Sequence, residues 1–212
     1  MIDKNLKNYI ENKIFPIYSK NDEGHNLDHI TAVIERSFNL IEENNLDVEP
    51  NMVYTIASYH DIGHHIDSKN HETVSAQIMS EDTNLKQFFN DEELLIIKEA
   101  IEDHRASAGH RPRSIYGELV SSADRNNTVY QCFSRTYFYG KNLDPYATDQ
   151  ELYERAHVVL AKKYGEDGYA KHYLKDSQYE LFLKELRTLL ADKEEFCRQQ
   201  DIFIKGLLQK NR

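Results

Sequence analysis

The chain of 212 residues has no tryptophan, two cysteines, four prolines and eight glycines. Each scarcity excludes something. Two thiols, Cys132 and Cys197, cannot build a disulfide framework or a four-thiolate zinc site, and they fit a reducing, cytoplasmic setting. Few prolines and glycines mean few interruptions, which favours long helices. No run of about 18 apolar residues occurs, so nothing reads as a membrane span. Met1 to Asn8 mix charged, polar and apolar residues, unlike a signal-peptide core. Positive charge is also short: 26 basic against 36 acidic residues give a net charge of −10. Such a chain lacks the basic footprint that duplex nucleic acid or an anionic membrane requires. A glycine-rich phosphate loop and a serine or cysteine nucleophile motif are absent as well.

What is present points to a helical globule. Apolar residues make up 40% and aromatics 11% of the chain, enough for a core in one domain with at most an appendage. Ile30, Val33, Ile34, Phe38 and Ile41 recur at helical steps, with Asn26 or Asp28 as the cap. Val53 to Tyr59 form a second apolar helix, opened by Pro50 and closed near Gly63. Further helices are predicted over 72–81, over 91–104 with Asp91 as cap, from 115 to 123, and along an aromatic face at 130–138. The tail holds two or three more, at about 149–164, 177–191 and 193–208. Gly109 and Pro112 mark 106–114 as a loop. Alternating apolar patterns of strands are missing. The prediction is all-α, divided into a domain over 1–144 and a helical extension over 145–212 packed on the same domain.

Eight of the ten histidines fall between residues 25 and 110. The pair His60-Asp61 ends the apolar helix and so faces the interior. A buried imidazole and carboxylate are costly there unless they are paired or bind a metal. The plainer reading is a helix-end histidine with an aspartate capping the next turn. His29 begins the first apolar stripe and Asp124 ends another, within Ser122-Ala123-Asp124-Arg125.

With Gly24-His25-Asn26-Leu27-Asp28-His29-Ile30 and Tyr59-His60-Asp61-Ile62-Gly63-His64, this set resembles the HD superfamily of metal-dependent phosphohydrolases over about residues 20–130. The resemblance implies an HD-domain helical bundle with additional C-terminal helices. It implies His29, His60, Asp61 and Asp124 as ligands of a divalent ion. Mixed nitrogen and oxygen ligation suits Mn²⁺, Fe²⁺ or Zn²⁺ better than Mg²⁺. Such an ion would polarise a phosphoryl oxygen and acidify a bound water. Some HD enzymes carry a glutamate three positions after the motif aspartate. Here that position is His64, followed by His65, so either His64 takes over proton transfer or both histidines cap the helix end. His71 and His104 lie where some HD proteins add two ligands for a second metal. His71 follows Asp61 closely, so a helix N-terminal role is favoured for it, and His104 is favoured as a site residue assisting proton transfer. The expectation is one essential ion.

Phosphate needs positive charge. Between His104 and Lys141 there are six basic and two acidic residues, which makes Arg105, Arg111, Arg113 and Arg125 candidate phosphate clamps. The alternative is that they cover acidic helix ends, or for Arg125 that it pairs with a ligand carboxylate. Tyr116, Tyr130, Phe133, Tyr137, Phe138 and Tyr139 form either core or a stacking surface for a base. The expected function is hydrolysis of a phosphomonoester, pyrophosphate or phosphodiester in a small nucleotide-like substrate. A di-iron oxygenase and a non-catalytic nucleotide-binding regulatory module are the alternatives. A homodimer through the charged C-terminal helices is a further expectation.

Overall fold

The structure, a computed structural model, describes residues 1–125 and 128–210. It is 71% helical, with ten α-helices and no strand among the described residues. Contacts divide the chain into two compact units. The first comprises Met1–Arg125 with His172–Lys175, and the second Asn126–Lys171 with Asp176–Arg212.

In the first unit, α1 (Lys4–Tyr9) continues through one π turn (Ile10–Ile14) into a 3₁₀ segment (Phe15–Lys20) that carries Pro16 near its start. Proline has no N–H to give, which suits this change of pitch. Then come α2 (Leu27–Asn44), α3 (Pro50–Tyr59), α4 (His71–Glu81), α5 (Asp91–Asp103) and α6 (Ile115–Ala123). Asn26 caps α2 by accepting from the His29 N–H at 3.1 Å, and Asn45 ends it in the left-handed region at φ 49°. Asn90, not Asp91, caps α5, in a reciprocal capping box with Glu93. Asp91 is the first residue of the helix itself, where its charge meets the positive end of the dipole.

The helix that matters most for the site is α3. Every residue from Met52 to Tyr59 is buried, and the helix packs against α2, α5 and α6. A helix apolar all round is central to its domain. Ile56 of α3, with Ile30 of α2 and Ile101 of α5, is fully buried, each contributing about 1.5–3 kcal/mol relative to exposure. His60 and Asp61 come directly after α3, so they emerge inside the unit rather than at its surface.

The second unit contains α7 (Val129–Leu143), α8 (Asp149–Tyr164), α9 (Ser177–Leu190) and α10 (Lys193–Lys210). Thr128, Thr148 and Asp176 cap the first three. Phe133, Tyr137, Tyr153, Leu186 and Phe196 belong to one apolar cluster. The sequence places a boundary at 144, whereas contacts group α7 with the later helices. The reason is that the aromatic face of α7 buries against α8 and α10.

Candidate metal centre

Three segments bring their polar residues to one place inside the first unit. His29 comes from the first turn of α2, His60 and Asp61 from the end of α3, and Asp124 from the end of α6. The His29 Nε2 lies 3.1 Å from Asp124 Oδ1 and 3.5 Å from Asp61 Oδ2. The His60 Nε2 lies 3.3 Å from Asp61 Oδ2 and 3.8 Å from Asp124 Oδ1. The other oxygen of Asp61 faces a different set. Its Oδ1 is 3.3 Å from His71 Nε2 and 3.5 Å from His104 Nε2. The two Nε2 atoms of that pair are 3.1 Å apart.

Three of these rings are oriented by backbone carbonyls. The Nδ1 of His60 sits 2.9 Å from Ala57 O, that of His71 3.1 Å from Ser68 O, and that of His104 2.6 Å from Ile101 O. Each ring that donates from Nδ1 turns the Nε2 lone pair inward, the usual arrangement of a ligating imidazole. His71 and His104 then oppose lone pair to lone pair, which calls for a cation between them. His60 Nε2 and Asp61 Oδ1 are buried with no hydrogen bond to either atom. Donor atoms 3.1–3.8 Å apart match the separations around an ion with bonds of about 2.0–2.2 Å. The residues therefore fit divalent ions, one set on each oxygen of Asp61.

The electrostatics agree. Burial opposes charge on His60, but Asp61 and Asp124 outweigh it and raise its pKa to about 9. Burial also disfavours the Asp61 carboxylate, yet His60, His104 and His29 hold it well below the ordinary range. Asp124 is depressed in the same way, chiefly by His29 against its burial. His71, buried and beside His104, is shifted down. Without an ion, protons must stand in for positive charge, so metal binding here releases protons.

His71 corrects the sequence reading. It does open α4, but it also faces Asp61. The turn between them is folded tightly by Asp67, whose Oδ1 accepts from the N–H groups of Lys69 and Asn70 at 2.9 and 3.2 Å. Gly63 lets α4 approach: a Cβ there would lie 2.8 Å from the Ser75 nitrogen and 2.7 Å from Val74 Cγ1. His104 likewise belongs to the second set, with both ring nitrogens engaged, and is no free proton carrier.

The arginines are corrected too. Arg113 forks onto the buried Asp103 and reaches Glu102 at 2.7 Å, tying the 106–114 loop to α5. Arg111 donates to Glu118. Arg125 is 4% exposed and donates to His104 O at 3.2 Å and Ser121 Oγ at 2.6 Å. It is a strut joining the ends of α5 and α6, and it also lies 3.6 Å from Asp124 Oδ2, the carboxylate pairing given above as its alternative. Arg105 lies 3.2 Å from Glu72 and is close enough to influence the charge on His64. Of the aromatics, Phe133 and Tyr137 are core residues of the second unit, and the Tyr116 hydroxyl accepts from the Glu49 N–H.

Sequence reasoning missed two positioning residues. Arg36 donates to Ala123 O at 2.7 Å and to Arg125 O, fixing the chain on both sides of Asp124. Asn21 donates to His25 O and Asp61 O, each at 2.9 Å, and accepts from the His65 N–H at 3.1 Å. Neither sits in a motif, and each acts on backbone atoms, which leaves no sequence signal. His64 and His25 stack with centroids 3.7 Å apart, next to Asp22.

A family model described as HD domain matches residues 26–127. No curated protein and no solved structure matches the chain. The matched segment spans α2 to the end of α6 and contains all six residues of the two ligand sets. Over residues 26–127 the chain is therefore similar to the HD domain, the all-α domain of a superfamily of metal-dependent hydrolases.

Proposed function

We propose that the protein hydrolyses a phosphate ester or anhydride of a small nucleotide-like substrate, using two divalent ions that share Asp61. The observation that carries this reading is the division of Asp61 between two histidine sets. It replaces the single ion expected from sequence. His29, His60, Asp61 Oδ2 and Asp124 hold one ion, and Asp61 Oδ1, His71 and His104 hold the other. Bound there, the ions supply Lewis acidity at a phosphoryl oxygen and an acidified water as nucleophile. The chain's own part is preorganisation. Carbonyls of Ala57, Ser68 and Ile101 fix the rings, Arg125 and Arg36 fix the Asp124 segment, and Asn21 fixes the backbone of Asp61. The softer nitrogen ligands favour Mn²⁺, Fe²⁺ or Zn²⁺ over Mg²⁺.

The six-residue ligand set also favours a second reading, a di-iron oxygenase, because it provides enough protein ligands for an iron pair. One experiment separates the two. Metal-depleted protein reloaded with Mn²⁺ is tested without oxygen against mono-, di- and cyclic nucleotides. Release of phosphate or a nucleoside phosphate that Asp61→Ala abolishes supports hydrolysis. Oxygen consumption coupled to substrate loss in a parallel aerobic sample reloaded with Fe²⁺, at two irons per chain, overturns it.

A further inference from the structure

We propose that Asp22, His25 and His64 form a third divalent-cation site at the rim of the centre, where its ion meets the phosphate end of the substrate. The role toward phosphate rests on the hydrolase reading above. The site itself rests on geometry. Asp22 caps the 3₁₀ turn that ends at His25, its Oδ1 accepting from the Gly24 N–H at 2.9 Å. His25 Nδ1 lies 2.7 Å from the same oxygen, and His64 Nδ1 lies 3.8 Å from Asp22 Oδ2. One donor atom from each residue falls within 4.8 Å of the others. The two rings are nearly parallel, 17° apart, and both present Nδ1 to one carboxylate.

The trio is held at a fixed place relative to the two ligand sets. Asn21 joins the carbonyl of His25 to that of Asp61, and its oxygen takes the His65 N–H. The His64 ring centroid is 5.3 Å from that of His71, and the His25 ring is 6.0 Å from His29. Asp22 has no lysine or arginine partner among the described residues; its ion-pair neighbours are the two histidines.

Charge supplies the purpose. With Asp61 and Asp124 offset by the two ions of the centre and Glu72 paired with Arg105, the carboxylate that faces a phosphate at this rim is Asp22. Arg111 and Arg113 are committed to carboxylates, Arg125 is buried as a strut, and Arg105 already faces Glu72. A cation at the trio offsets Asp22 and adds positive charge at the rim, beside that of the two ions. It also gives His64 a ligand role in place of proton transfer.

The test counts bound Mn²⁺ by equilibrium dialysis at saturating metal. The wild-type chain and the near-isosteric variants Asp22→Asn and His25→Gln are compared, with helicity checked by circular dichroism. Three ions in the wild type and two in each variant are expected, together with a raised KM for the phosphate substrate. Any count other than three in the wild type, or three ions retained in the variants, overturns the third site. Three ions without turnover of any phosphate compound would instead defeat the hydrolase reading and leave the cation site standing.

Discussion

The first unit buries His60, Asp61, His71 and His104 beside Ile56 and Ile101, while the second closes over Phe133, Tyr153, Leu186 and Phe196. Among the described residues, the buried polar side chains of the second unit outside its tyrosines are Asp176 and Gln200. Both serve the helices around them: Asp176 caps α9, and Gln200 donates to Phe133 O at 3.0 Å while its Oε1 is buried without a hydrogen bond. The contrast shows where stability is given up. Desolvated carboxylates and imidazoles cost several kcal/mol each unless neutralised, and the first unit tolerates four in one place. An interior of this kind is explained by what it binds, whereas the other is explained by packing alone.

The largest expected effect comes from removing the shared carboxylate. Asp61→Asn should abolish turnover and bring down the metal content of both ligand sets, read by elemental analysis. It should also remove the thermal stabilisation that Mn²⁺ gives the wild type, about 2.7 kcal/mol at an ion concentration 100 times Kd. If Mn²⁺ stabilised the variant as well as the wild type, the polar interior would need another explanation.

The second unit predicts a different outcome. Phe196 is fully buried and meets Phe133 edge to face at 5.2 Å. Phe196→Ala should cost about 3–5 kcal/mol in urea unfolding, with no change in the number of ions bound at saturating Mn²⁺. Loss of metal in this variant would break the separation drawn between the two interiors.

Much of this contrast is legible in the sequence, and the parts that are not have physical reasons. The stripes at Ile30 to Ile41 and Val53 to Tyr59 mark their helices because burial imposes a 3.6-residue period. Residues 4–20 carry such a stripe too, Leu6, Ile10, Ile14 and Tyr18 at four-residue steps and all buried, which the sequence reading passed over; what the stripe does not reveal is the change to π and 3₁₀ turns. His29, His60, Asp61 and Asp124 stand out because each ends or begins an apolar run. Spacing alone argues against His71, because a turn organised by Asp67 shortens the path in a way that residue counting does not reveal. The arginines mislead for the opposite reason. A net positive segment says nothing about partners, and Arg113 has three carboxylates within reach.

A smaller effect sharpens the picture of the first unit. At Gly63 the approach of α4 leaves no room for a methyl group against the backbone of Ser75, whose hydroxyl accepts from the Gly63 N–H at 3.0 Å. Gly63→Ala should destabilise by about 1–3 kcal/mol through overpacking. Because α4 carries His71, metal titration should show the second ion weakened more than the first. Equal weakening of both would mean that the two sets are not separately supported.

The smallest effect concerns polar burial in the first unit that no metal explains. The Tyr9 and Tyr59 hydroxyls both donate to Asp82 Oδ2 at 2.6 Å, joining α1 and α3 to the end of α4. Burial pushes the Asp82 carboxyl up, but the hydrogen bonds from Tyr59 and Tyr9 outweigh it and hold its pKa below 3.8. A carboxylate depressed in the folded state stabilises the fold above its unfolded value, and that contribution fades as pH falls from about 3.8 through the lower folded value. Asp82→Asn should therefore cost about 1 kcal/mol at neutral pH, the difference between charge-assisted and neutral hydrogen bonds. The gap in Tm between wild type and variant should close as the pH approaches 2, in metal-free protein as in loaded protein. A gap that persisted at low pH would assign the effect to shape rather than to the carboxylate charge. A gap that depended on metal would place Asp82 within the influence of the ligand sets.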